Sequence, residues 1–271
     1  MKATKILFIT QEMIPFVPET QKSLVGRYLP QAIQEMGHEI RTFTPKWGII
    51  NERRNQLHEV IRLSGMNLII DDTDHPLIIK VSSIQAARMQ IYFIDNDDYF
   101  QKRAMTTDEN GKEYDDNGER AIFYARGVLE TVKKLRWVPD VIHCHGWITS
   151  LAPLYIKKAY SDEPSFRDTK IVYSASAPEF ANDLGQHFAD CIPFKDAKKE
   201  DFAELCNGKF GHTELSKIAI KFSDGVILDN ENVEPELVEY AKGLGKPLLD
   251  FQPEDVYKKA YNDFYETVVG E

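Results

Sequence analysis

The chain has 271 residues, is 42% hydrophobic and 11% aromatic, and carries 33 basic against 43 acidic side chains, for a net charge of −10. That composition supports a sizeable core and excludes a disordered or collagen-like chain, while the acidic balance argues against nucleic acid as a partner. The longest apolar runs, such as Ile6-Leu7-Phe8-Ile9, fall far short of the roughly 20 residues that span a bilayer, so no membrane partner is expected either.

The start of the chain lacks the apolar region and small-residue cleavage site of a secretory leader. Three cysteines, Cys144, Cys191 and Cys206, form no disulfide framework, and a reducing, cytoplasmic location is expected. Lys5-Ile6-Leu7-Phe8-Ile9-Thr10 is a short continuous apolar run, as a strand buried on both faces of a parallel sheet requires. A polar loop broken by Pro15 and Pro18 follows. Residues 23–36 then show helical spacing, with Pro30 expected to kink the helix and Gly37 to end it.

Residues 39–44 read as the next strand. The segments 57–63, 66–70 and 76–81 read as short strands in an antiparallel hairpin region, and 90–95 as a buried strand. An acidic loop over 108–119 leads into a helix over 119–135. Strand and helix then alternate: 140–144, 149–159, 169–174, helical stretches at 197–206 and 213–222, 225–228 and 234–242. A last helix over 254–269 carries Val256, Ala260, Phe264 and Val268 on one stripe. No internal repeat or linker interrupts this order, which predicts one α/β domain plus a terminal helix.

Among the polar groups, His143 and His145 share one strand face, but no second cluster stands at a metal-ligand spacing. The pair is read as structural or as a contact to a ligand at the strand end, where open α/β sheets bind theirs. Glu12 and the residues after Ser174 belong to the same end. The loop from Asp108 to Asp116 has Lys112 and Glu113 where a calcium loop needs an oxygen ligand and glycine, so it is read as solvated. Cys144 is read as a buried thiol. No glycine-rich phosphate loop and no Gly-x-Ser-x-Gly elbow occurs.

The order of several short motifs resembles one family. Residues 5–16, with Gln11-Glu12-Met13-Ile14-Pro15-Phe16 after the strand, are similar to the opening of bacterial glycogen synthases and plant starch synthases, glycosyltransferase family 5. The resemblance continues through Leu29-Pro30, Gly37-His38-Glu39-Ile40-Arg41, Thr44-Pro45-Lys46-Trp47-Gly48, Phe93-Ile94-Asp95-Asn96, Tyr114-Asp115-Asp116-Asn117-Gly118-Glu119-Arg120 and Pro139-Asp140-Val141-Ile142-His143-Cys144-His145-Gly146-Trp147. It implies a Rossmann-like α/β fold with a mostly parallel sheet and helices on both faces, one half of a GT-B fold. Residues 1–250 form the family's N-terminal domain in this view, and 251–271 a closing helix that packs back on it. A second Rossmann-like domain needs roughly 150–200 residues, and only about 40 follow Leu228.

Three departures matter. The family's Lys-x-Gly-Gly loop, which approaches ADP-glucose, aligns with Pro18, Glu19, Thr20 and Gln21, so the cation and both glycines are missing from their places. Its His-Asp-Trp is His145-Gly146-Trp147. Its Thr-x-His-Asn falls on Ser174-Ala175-Ser176-Ala177, with Ser176 in place of the histidine that contacts the transferring sugar. The resemblance therefore implies a half-enzyme without independent glucosyltransferase activity. Its cleft is expected to take an α-glucan or sugar, with Glu12, Asp116, Asn117, His143, His145 and Trp147 as the family-matched binding residues and Trp147 stacking on a pyranose ring. The alternative for Asp116, Asn117 and Trp147 is that they brace the loops. Two further readings are an active enzyme moving glucose from ADP-glucose to an α-1,4-glucan with the second domain supplied by another chain, and a regulatory or scaffold subunit whose protein partner covers the open face. No catalytic residue, cofactor or metal is assigned from the sequence.

Overall fold

The computed structural model describes residues 3–270. Among these residues ten strands form a mostly parallel sheet: β1 (Lys5–Thr10), β2 (Glu39–Pro45), β3 (His58–Glu59), β4 (Met66–Ile70), β5 (Thr73–Ile84), β6 (Met89–Asp95), β7 (Val141–His145), β8 (Lys170–Ala175), β9 (Gly225–Leu228) and β10 (Leu248–Leu249). Their order is β10-β9-β8-β7-β1-β2-β6-β5-β3, with β4 paired to β5. The run from β10 to β6 is parallel, and β5, β3 and β4 join antiparallel at one edge. The chain reverses its direction of progress between β1 and β7, and the crevice beyond the strand ends there is where such sheets bind ligands.

Among the described residues eight α-helices accompany the sheet: α1 (Gln21–Glu35), α2 (Asn117–Leu135), α3 (Ala152–Lys157), α4 (Gly185–Cys191), α5 (Ala203–Cys206), α6 (His212–Phe222), α7 (Pro235–Gly243) and α8 (Tyr257–Gly270). Side-chain alternation along the strands divides the core. Leu7, Ile9, Ile142, Cys144, Ile171 and Tyr173 pack with α2, α3 and α6, whereas Ile6, Phe8, Val141 and Val172 pack with α1 and α8. The strands are therefore apolar on both faces, and the mostly parallel α/β half-fold expected from the sequence is the one observed. Among the described residues no helix is long and apolar enough to cross a membrane.

Several elements differ from their sequence expectation. Helix α1 continues through Pro30 because Val25, Leu29 and Ile33 are buried on β1, and this burial outweighs the lost hydrogen bond. Only His58 and Glu59 pair within 57–63; Leu63 and Ser64 fold back onto the carbonyl of Val60 in a turn. The helix expected over 149–159 is a 3-10 turn followed by α3, whose start coincides with Pro153 in its first turn. The stretch 197–206 is likewise a 3-10 turn followed by α5. In α8 the buried stripe is Tyr257, Tyr261, Phe264, Tyr265 and Val268, while Val256 is exposed: tyrosine rings form most of the apolar face. Helix α4 and the two-residue β10 are too short to show a period.

Candidate functional site

The carboxyl ends of β1, β7, β8 and β9 and the first turn of α1 enclose a cavity of about 290 Å³, near the small end of the roughly 300–1,000 Å³ range of ligand pockets. Glu12, Thr20, Gln21, Lys22, His145, Ser176, Ala177, Glu179 and Asp229 line it. Thr20 caps α1: its hydroxyl accepts from the Ser23 amide at 3.0 Å, and Ser23 Oγ accepts from the Thr20 amide at 2.8 Å. The same Thr20 hydroxyl donates to Glu12 Oε2 at 2.7 Å, and Gln11 donates to Glu12 Oε1 at 3.1 Å.

This capping sets Lys22 in the first turn of α1, where a cation opposes the helix dipole. Its ammonium lies 3.1 Å from Glu179 and 3.4 Å from Asp229 and donates to Ser176 Oγ at 2.8 Å. Burial disfavours the Lys22 charge, but Glu179 and Asp229 outweigh it and raise its pKa above the ordinary lysine range. Burial likewise disfavours ionised Asp229. Lys22, with hydrogen bonds from His145 at 3.1 Å and Ser176 at 2.5 Å, nevertheless holds that carboxyl below the usual carboxylate range. Three carboxylates thus gather where a helix N-terminus would otherwise meet a ligand's phosphate. Lys22 is the sole lysine or arginine among the described lining residues, and it is neutralised from within the protein.

The structure brings Glu12, His145, Ser176 and Ala177 together with Thr20 and Gln21, and leaves the other matched residues elsewhere. Pro18 is exposed on the loop and outside the cavity lining. His143 is buried behind the cavity, between Ser174 Oγ and the Tyr265 hydroxyl, each at 2.7 Å. Burial, then the neighbouring His145, holds its imidazole well below the ordinary histidine range and keeps it neutral. Trp147 is 1% exposed and packs edge-on against Phe180 at 4.9 Å, so it presents no face to a pyranose ring. Asp116 pairs with Arg103 at 2.8 Å in a separate concavity. Asn117 is buried, donating to the Thr106 carbonyl and accepting from Arg120. Both tie residues 103–106, ahead of the acidic loop, to the start of α2.

Gly146 has φ +97° and ψ 150°, and a Cβ on it would lie 2.5 Å from the Gln11 side chain. Gln11 in turn donates to Glu179 at 2.9 Å, and Glu179 accepts from the Trp147 amide at 3.2 Å. Restoring the family's carboxylate here therefore requires the loop to move. Gly146→Asp is expected to cost about 1–3 kcal/mol in equilibrium denaturation, and an unchanged midpoint would contradict this backbone constraint.

Lys22, Glu179 and Asp229 line the cavity without belonging to any motif of the sequence analysis. Asp229 could have been found by the rule that singled out His145, since it directly follows β9 at the same end of the sheet.

Residues 5–248 match the family model described as the starch synthase catalytic domain. A glycogen synthase from Chlorobaculum tepidum is 32% identical over 98% of this chain and 52% of its own length. One from Chlorobium limicola is 39% identical over 62% of this chain and 35% of its own. The chain thus spans between about a third and a half of these relatives. The catalytic domain of starch synthase IV from Arabidopsis thaliana, solved with ADP and acarbose, superposes with a TM-score of 0.75 at 16% identity, covering 92% of this chain and 51% of that one.

Proposed function

Because the chain belongs to the starch synthase catalytic-domain family, we propose that it is a glycogen- and starch-synthase-like N-terminal half that does not transfer glucose by itself and whose cleft takes an uncharged sugar or the end of an α-glucan. The observation that carries this reading is the Lys22 ammonium held by Glu179 and Asp229. A nucleotide diphosphate entering the cavity meets three carboxylates and no uncommitted cation among the described lining residues, and that repulsion is strong in a partly desolvated site. Hydroxyl groups suit the same lining: carboxylates accept from them, and charge-assisted bonds of this kind are stronger than neutral ones. The cavity volume fits one or two sugar rings better than a whole nucleotide sugar. Three free cysteines fit a reducing compartment such as the cytoplasm.

Two measurements test this. Radiolabelled ADP-glucose incubated with the chain and glycogen is expected to leave only background label in polymer. Calorimetry with maltooligosaccharides is expected to register heat at about millimolar ligand, a binding free energy near −4 kcal/mol, while ADP-glucose gives none. Turnover by the isolated chain, or heat from the nucleotide sugar alone, defeats the proposal.

A further inference from the structure

Away from this cavity, four side chains from three distant parts of the chain converge. His187 and Cys191 stand four residues apart on one face of α4. Asp71 occupies the two-residue turn between β4 and β5, where Asp71 and Asp72 both have positive φ. Glu119 lies in the first turn of α2. The Phe188 ring of α4 comes within 2.4 Å of where a Cβ on Gly118 would stand, and this close packing brings Glu119 up to His187.

His187 Nε2 is the meeting point. It lies 3.2 Å from Glu119 Oε1, 3.4 Å from Asp71 Oδ2 and 3.8 Å from Cys191 Sγ. The Asp71, His187 and Cys191 ligand atoms all fall within 4.8 Å of one another. Zinc bonds of about 2.0–2.1 Å to nitrogen and oxygen and 2.3 Å to sulfur, in tetrahedral geometry, give ligand–ligand edges of about 3.3–3.6 Å. The contacts of His187 with Glu119, Asp71 and Cys191 already lie near these edges, whereas Glu119 stands outside the three-residue group and its carboxylate must turn inward to complete the shell. A single proton on Nε2 serves one of these neighbours well, whereas a dication at the centre serves all four. Among the described residues neither Asp71 nor Glu119 has a lysine or arginine within ion-pair distance.

We infer that Asp71, Glu119, His187 and Cys191 bind one zinc ion as a closed structural site, which ties the β4–β5 hairpin and α4 to the start of α2. One imidazole, one thiolate and two carboxylates favour zinc over calcium or magnesium, which prefer all-oxygen shells. With four protein ligands the ion keeps no open position for chemistry, so its effect is on stability.

The test uses the full chain stripped of metal by a chelator. Cobalt(II) is expected to bind at one equivalent, with visible bands of tetrahedral intensity and a thiolate-to-cobalt charge-transfer band that zinc abolishes in competition. Zinc at one hundred times its dissociation constant is expected to raise the melting temperature by about 5–10 °C. Cys191→Ser should remove the charge-transfer band. His187→Ala and Asp71→Asn, both at exposed positions and so compatible with folding, should weaken binding by more than the roughly 10–100-fold that loss of an outer partner costs. Cys206→Ser should change nothing. A folded wild-type chain without cobalt bands, or bands that persist in both Cys191→Ser and His187→Ala, overturns the assignment.

Discussion

Deleting residues 256–271 is expected to leave a chain that does not fold. Helix α8 buries Tyr257, Tyr261, Phe264, Tyr265 and Val268 against β1, β7, β8 and β9. At about 1.5–3 kcal/mol for each buried side chain, its removal withdraws roughly 7–15 kcal/mol, as large as the whole stability of a typical domain. The fit is close: a Cβ on Gly225 of β9 would lie 2.7 Å from Val268 and 3.0 Å from Phe264. Far-UV circular dichroism and size exclusion check this outcome. A truncated chain that remains monomeric and melts cooperatively would mean that α8 is an accessory.

A milder change isolates the polar part of the same contact. Tyr265→Phe keeps the ring but removes the partner of His143 Nδ1, and about 1–3 kcal/mol of stability should be lost. His143 also sets a pH dependence. Its folded pKa is depressed, so the unfolded chain takes up the proton first. The stability it contributes is complete above the unfolded value of about 6.5 and declines as pH falls below it.

The framework was legible because its signals are local. The apolar run Ile6-Leu7-Phe8-Ile9 marked β1, and Gly37, with φ +98°, marked the end of α1. The cavity was half legible. Glu12, His145 and Ser176 follow strands whose ends could be located, but Lys22 and Asp229 meet across 207 residues and no spacing announces that pairing. Trp147 shows a different limit: whether an indole faces a ligand or the interior depends on Phe180, which packs onto it only in the folded chain. The metal-ligand cluster was invisible for the same reason, since His187 and Cys191 are four apart on a helix too short to detect and Asp71 and Glu119 arrive through tertiary packing.

Replacing Lys22 with methionine is expected to be among the most damaging single substitutions in the site. The side chain keeps its length while Glu179 and Asp229 lose their shared counter-charge in a buried setting, a change that typically costs about 3–5 kcal/mol. The deficit should depend on pH in a definite sense. In the wild type the Asp229 pKa is depressed, so its contribution is present above the unfolded value of about 3.9 and is lost as pH falls below it. Lys22 is shifted upward, so its contribution is intact below about 10.4 and is lost as pH rises beyond that. Without Lys22, burial works to raise the Asp229 pKa, and its protonation relieves the repulsion. The variant's deficit, measured by denaturant titration, should therefore shrink on acidification from neutral pH toward about pH 4. Adding Glu179→Gln and Asp229→Asn to Lys22→Met should recover most of the loss, because a neutral buried cluster avoids the desolvation that the ion pairs must offset. If the triple variant is no more stable than Lys22→Met, the charges are not what binds α1 to β8 and β9. In that case the occupied cation would also lose its standing as the reason a nucleotide diphosphate is refused.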